Sequence, residues 1–329
     1  MRLLLTRRDD PGWTGDELKG YGTVGYGTVG IWASSEGGTS MRAPQMSRTA
    51  TRTHRHLHGR DVAYVDLPGE GTPVLLVHGI GSSADTWGDV PHRLSAQGIR
   101  TVALDLPGHG ESSKGRGDYS LGSLASTIRD LLDELAMDRV HLVGHSLGGG
   151  VSMQFAYQFP DRMASLVLES SGGLGEETFT GLRAASLPGS ELVIKWAINR
   201  KTLRGAAWLG ERLARVGMAP HALSPRALET VSWLSEDDRR AAFLATLRSV
   251  VSPSGQRVSA LDKLHLLDGT RVLIVWGDKD PMIPLAHGRN AHAALEGSRF
   301  VVFPGASHEP HLHDPDRFTD LLVEHVSVR

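Results

Sequence analysis

Gly144-His145-Ser146-Leu147-Gly148 constrains the fold of this chain more than any other five residues. The stretch before it, Arg139-Val140-His141-Leu142-Val143, is short and β-branched and ends on an apolar pair. The stretch after it, Gly149 to Ala156, reads as a helix that can run until Pro160. A strand therefore has to turn into a helix within a few residues. Glycines on both sides let the two elements approach without a Cβ clash. A serine at the apex of such a turn sits in strained backbone, its hydroxyl exposed beside the N–H groups of a helix start. The G-x-S-x-G pattern alone is a weak signal; the strand before it and the helix after it make it a nucleophile elbow.

The surrounding pattern agrees with that turn. Pro73-Val74-Leu75-Leu76-Val77 is a continuous apolar run, as in a strand buried on both faces. Arg100–Asp105, Ser165–Glu169, Arg271–Trp276 and Ser298–Phe303 read the same way, and Asp61–Asp66 alternates like an edge strand. Leu121, Leu124, Ala125, Ile128, Leu131, Leu132 and Leu135 follow helical spacing. Further helices are expected over Leu285–Ala294 and from Asp314. Strands alternating with helices predict an α/β fold: a mostly parallel central sheet flanked by helices. Between Leu174 and Gln256 the strand signal vanishes and short helical pieces carry Trp196, Trp208, Trp233, Leu234, Phe243 and Leu244. We expect residues 174–256 to be an inserted helical cap over a core built from 58–173 and 257–329.

Residues 1–57 read differently. They are rich in Gly, Thr, Ser and Arg and repeat Gly20-Tyr21-Gly22-Thr23-Val24 as Gly25-Tyr26-Gly27-Thr28-Val29. We expect a disordered or loosely packed leader, with Met41 or Met46 as candidate starts beside Met1. Gly20-x-Gly22-x-x-Gly25 formally matches a dinucleotide fingerprint, but no strand precedes it and no helix follows. Thr53-His54-Arg55-His56-Leu57-His58 reads as a solvated polar tract rather than a metal site.

Composition narrows the function classes. The 329 residues are 40% hydrophobic and 22% charged, with a formal net charge of -2, so no strong attraction to nucleic acid or anionic membrane is expected. With 0 Cys, thiolate catalysis and cysteine metal sites are excluded. No apolar run approaches a membrane span, and the first residues do not form a signal-peptide core, so a cytoplasmic protein is expected. Self-association as a homo-oligomer stays open.

A serine nucleophile needs a base and a group to orient it. Gly277-Asp278-Lys279-Asp280 follows one late strand and Gly305-Ala306-Ser307-His308 the next. Both lie where α/β sheets place their sites. The order Ser146, Asp280, His308 fits a Ser-Asp-His triad. Asp280 is favoured over Asp278 because Pro281-Met282-Ile283-Pro284 gives it a rigid turn. His308 is favoured over His311 and His313 because it comes first after its strand; a metal cluster across 308–314 is the lesser reading, and no metal or cofactor is assigned. His78-Gly79-Ile80-Gly81 follows the first buried strand. It offers the Ile80 amide as one oxyanion donor, with the Leu147 amide as the second and His78, Gly79 and Gly81 supporting the loop. His145 reads as a packing residue. Asp105, Gly108, His109, Gly110 and Ser112 form a structural loop. Lys195, Arg200, Lys201, Arg204, Arg212 and Arg215 give the cap a basic, solvated face.

Together these residues resemble the α/β-hydrolase superfamily, whose members carry HGxG, D-x-x-G-x-G-x-S, G-x-S-x-G, G-x-x-D and a late His in this order. The resemblance covers about His58 to Val328. It is closest in character to actinobacterial α/β-fold hydrolases of unassigned substrate, which resemble meta-cleavage C–C bond hydrolases. Those usually follow the catalytic His with Trp; here Glu309 stands there. Ser146 also departs from epoxide hydrolases and haloalkane dehalogenases, which use Asp. The resemblance implies hydrolysis of an apolar carboxylic ester through an acyl-enzyme. C–C bond hydrolysis is the alternative, followed by cofactor-free perhydrolysis or a slow-turnover ligand receptor.

Overall fold

The computed structural model describes residues 51–214 and 231–327. The apolar strands join into one sheet because their side chains need cover on both faces. In chain order the first half holds β1 (Thr53–Leu57), β2 (Arg60–Leu67), β3 (Glu70–Val77), helix α1 (Val90–Ala96), β4 (Ile99–Leu104), α2 (Leu121–Glu134), β5 (Val140–His145), α3 (Leu147–Gln158) and β6 (Met163–Glu169). The segment 174–256 follows with α4 (Thr180–Ala185), α5 (Ser190–Ala197), α6 (Arg200–Ala214) and α7 (Asp237–Val250). It ends in a hairpin of two two-residue strands, β7 (Val251–Ser252) and β8 (Gly255–Gln256), which a purely helical cap does not include. The main sheet is completed by β9 (Val272–Gly277) and β10 (Arg299–Phe303), with α8 (Leu285–Ala294), α9 (Pro310–His313) and α10 (Pro315–Ser327) around them.

Strand order in the main sheet is β1-β2-β4-β3-β5-β6-β9-β10. The β1–β2 and β2–β4 pairs are antiparallel and the other pairs of that sheet are parallel. The fold is an α/β-hydrolase fold of mostly parallel strands with helices on both faces.

Alternation along each strand splits the core into two layers. Leu75 and Val77 pack with α2 and α3 residues such as Leu124 and Val151. Val74 and Leu76 point the other way, toward Trp87, Leu94, Phe318 and Leu322. Val272, Ile274 and Trp276 against Leu273 and Val275 divide β9 in the same manner. The segment 174–256 has an apolar cluster of its own, built from Leu234, Phe243, Leu244, Leu247 and Val251.

The expected leader boundary at residue 57 is corrected. Thr53–Leu57 is a strand that pairs with β2 from Thr53↔Tyr64 to Leu57↔Arg60, so β1 and not β2 is the sheet edge. Its residues alternate between half-buried and exposed, and the polar tract reaches two carboxylates: His56 Nδ1 lies 2.8 Å from Asp61 Oδ1 and His58 Nε2 lies 3.1 Å from Asp130 Oδ2. Backbone pairing, rather than an apolar face, holds this strand. The remainder of the expected leader, residues 1–50, lies outside the described residues. Helix α1 also goes beyond the sequence pattern; Pro91 in its first turn and only seven residues leave little periodicity to read. Among the described residues no helix is long and apolar enough to cross a membrane.

Candidate active site

Strand β5 ends at His145 and α3 begins at Leu147, so Ser146 alone makes the turn. It has φ 54 and ψ -116, a conformation that a non-glycine residue occupies only when its surroundings impose it. Backbone hydrogen bonds do so. Ser146 N–H donates to Glu169 O (3.0 Å), while Ser146 O accepts from Gly149 (3.0 Å) and Gly172 (2.9 Å). The flanking glycines are required by contact: a Cβ on Gly144 would lie 2.4 Å from Gly148 O, and one on Gly148 would lie 2.1 Å from Val77 O.

Asp280 follows β9. Its Oδ1 accepts from the N–H groups of Met282 (2.8 Å) and Ile283 (3.0 Å), so the turn orients the carboxylate through backbone donors. Its Oδ2 accepts from His308 Nδ1 at 2.8 Å, and the Asp280 side chain is fully buried. That bond puts the imidazole proton on Nδ1 and leaves Nε2 as the basic nitrogen. Asp278 is exposed and instead accepts from Gly305 N–H at 2.6 Å, which shapes the loop before His308.

Ser146 and His308 line one cavity of about 160 Å³. Gly79 packs on the serine: a Cβ there would sit 3.2 Å from Ser146 Cβ. The loop is braced by His78, which donates from Nδ1 to Gly79 O (2.7 Å) and accepts at Nε2 from Leu106 N–H (3.0 Å). Burial holds the His78 pKa below its ordinary value, as suits a neutral ring that both donates and accepts. Ile80 lies on the cavity wall beside Ser146, and Leu147 occupies the first helical position, where an N–H has no intrahelical acceptor. Gly81 takes φ 71 and lies against Trp233.

The cavity wall is apolar. Leu121, Leu147 and Met282 line it together with Leu182, Leu247 and Val250 of the segment 174–256. Ser82, Thr178, Gln256 and Glu309 add polar groups; among the described residues no Lys or Arg lines it.

Several neighbours escape sequence reasoning. His145, read as packing, donates from Nε2 to the backbone oxygen of His308 at 2.9 Å. Burial, then the nearby His308 and His311, push its pKa well down, so it is neutral. His311, weighed as a rival base, turns into the core and pairs with Glu169, whereas His313 is exposed. A carboxylate closing the apolar run Ser165–Leu168 was the available signal. Arg52, within the expected leader, donates from Nε to the buried Asp105 carboxylate at 3.0 Å, and nothing in its local sequence marks it. Asp105 also accepts from Ala84 N–H (2.6 Å) and Glu111 N–H (2.8 Å), as expected of a structural loop.

Residues 72–315 match the family model described as alpha/beta hydrolase fold, and the chain belongs to that family. An uncharacterized protein of Mycobacterium tuberculosis is 41% identical over 276 residues, 83% of this chain and 80% of the relative. A 2-hydroxy-6-oxo-6-phenylhexa-2,4-dienoate hydrolase of Burkholderia cepacia is 27% identical over 267 residues, 79% of this chain and 89% of the relative. Among solved structures, a thermophilic esterase from Thermogutta terrifontis superposes with a TM-score of 0.62 at 24% identity, covering 84% of this chain and 97% of that one.

Proposed function

We propose that this hydrolase cleaves an uncharged, apolar carboxylic ester through an acyl-enzyme on Ser146. The observation that carries the reading is that His308, hydrogen-bonded to the buried Asp280 carboxylate, lines the same cavity as the strained Ser146. In this mechanism His308 Nε2 takes the serine proton as Oγ attacks the ester carbonyl. Asp280 stabilises the imidazolium that forms, and His308 then protonates the leaving alcohol. Water repeats the sequence to release the acid. The Ile80 and Leu147 amides receive the tetrahedral oxyanion; one such donor is typically worth about 3 kcal/mol in the transition state. No step needs a metal or cofactor.

The C–C bond reading has support in the Burkholderia relative, named for a dienoate substrate. A dienoate carries a carboxylate, and a buried carboxylate needs a cationic partner. Among the described cavity residues none is Lys or Arg, and Glu309 adds a carboxylate. A neutral ester suits that wall better. The test is a panel of p-nitrophenyl esters and a 2-hydroxy-6-oxo-dienoate assayed with the parent protein and Ser146→Ala. Ester turnover abolished by Ser146→Ala supports the reading; dienoate cleavage much faster than any ester replaces it with the C–C reading.

A further inference from the structure

Behind the elbow lies a fully buried charged pair that the proposed reaction does not use. Glu169 closes β6 and His311 sits on α9, both with no exposure to solvent. Glu169 Oε1 accepts from His311 N–H (2.8 Å), and both carboxylate oxygens lie 2.9 Å from His311 Nδ1. The opposite ring nitrogen, Nε2, faces the backbone oxygen of Thr86 at 2.9 Å. The Thr86 carbonyl can only accept, and so can an ionised Glu169; with Glu169 ionised both ring nitrogens donate and His311 is an imidazolium. Burial opposes that charge, but the charge and hydrogen bonds of Glu169 outweigh it and raise the His311 pKa. The groups facing the ring are Glu169 from β6, His145 from β5, the Thr86 carbonyl, Glu309 from its own loop, and the apolar faces of Trp87 and Phe318. His145 is neutral.

An isolated buried ion pair gives little net stability, because desolvation consumes most of its attraction. Its placement offers another role. The Glu169 backbone oxygen holds Ser146 N–H at 3.0 Å, while its side chain holds the residue three positions beyond His308. The His145 ring fills the space between, 4.8 Å from the His308 ring and 5.4 Å from the His311 ring, and donates to the His308 carbonyl. One residue therefore fastens both the serine turn and the histidine loop.

We propose that Glu169 and His311 are positioning residues, a charged clip that sets the separation between Ser146 and His308. The proposal rests on the assignment of those two residues as nucleophile and base. A displacement of about 1 Å in such a site costs up to about 100-fold in rate.

The test compares Glu169→Gln and the apolar pair Glu169→Met with His311→Leu against the parent protein. Readouts are kcat and KM on a p-nitrophenyl ester, the rate of Ser146 phosphonylation by a fluorophosphonate, and 15N NMR of the histidine rings. Expected are kcat and phosphonylation rates lowered by about 10- to 100-fold, KM nearly unchanged, a folded double variant that melts lower because the backbone N–H at 311 and the Thr86 oxygen lose their partners, and two protonated nitrogens on His311 of the parent protein at pH 7. A double variant with the parent kcat overturns the proposal, as does a His311 ring carrying one proton at pH 7. If the parent protein neither turns over esters nor phosphonylates Ser146, the functional reading has failed. The NMR proton count, which needs no substrate, then still decides the charged state of the clip.

Discussion

Replacing Asp280 by Asn removes a charge without removing a shape, and the structure dictates what the new amide does. Asp280 Oδ1 is held by two backbone donors, Met282 and Ile283, while Oδ2 receives the His308 Nδ1 proton. In the Asp280→Asn variant, a side chain oriented with its oxygen toward the two amides presents its NH₂ group to His308. Flipping it would lose two hydrogen bonds and set donors against donors, at about 1–3 kcal/mol for each unsatisfied group. The unflipped amide therefore wins, and its N–H forces His308 Nδ1 to become the acceptor. The ring proton moves to Nε2, which can no longer accept from Ser146. The same tautomer error lowers kcat by about 10⁴ in another Ser-His-Asp enzyme, equivalent to about 5.5 kcal/mol. We expect kcat of Asp280→Asn to fall by about 10³- to 10⁴-fold with KM little changed, measured by steady-state hydrolysis of a p-nitrophenyl ester. Thermal unfolding should remain close to the parent. Asp278→Asn, which touches only Gly305 N–H, should keep kcat within a few-fold, about the cost of one weakened hydrogen bond. An Asp280→Asn protein within about tenfold of the parent rate would refute the claim that Asp280 sets the His308 tautomer.

Further outcomes follow from packing and charge. Gly148→Ala places a Cβ 2.1 Å from Val77 O, so backbone must move between β3 and α3. We expect a loss exceeding about 4 kcal/mol or no soluble protein, judged by chemical denaturation. Arg52→Ala leaves the Asp105 carboxylate buried with two amide donors and without its guanidinium partner. A destabilisation of about 3–5 kcal/mol is expected, and a chain beginning at His58 should melt lower than one beginning at Met46 because it lacks both Arg52 and β1. Stability should fall on both sides of neutrality. Burial lowers the folded pKa of His109 to about 3 and of His141 and His325 to about 4. These rings therefore stabilise above about 6.5, the unfolded value, and that contribution is lost as pH falls toward their folded values. His311 has a raised folded pKa, so its contribution is complete below about 6.5 and is lost as pH rises through its folded value. Melting temperatures from about pH 4 to about pH 9 read both limbs, and a flat profile would contradict the assignment of these ring charges.

The sheet was legible because its strands are buried on both faces. Val74–Val77 and Val272–Trp276 leave no polar alternative, and that same burial fixes where the loops carrying Ser146, Asp280 and His308 emerge. Strand β1 was not legible because an edge strand needs only backbone pairing, so Thr53-His54-Arg55-His56 carries no apolar face to read. The Asp280 turn could be inferred from Pro281 and Pro284, since proline restricts the backbone locally. The His145 bond to the His308 carbonyl and the Glu169–His311 pair could not. They join residues 163 and 142 positions apart, where local pattern has no reach. Arg52 is the same case: a cation in a polar tract looks solvated until the fold sets Asp105 beside it.

The central claim is that Ser146 acts as a nucleophile. Intact-protein and peptide mass spectrometry after exposure to a fluorophosphonate measures this directly. One phosphonyl adduct is expected, located on Ser146, formed in step with loss of ester turnover and absent from Ser146→Ala. An adduct on another residue, or full ester turnover by Ser146→Ala, would contradict it.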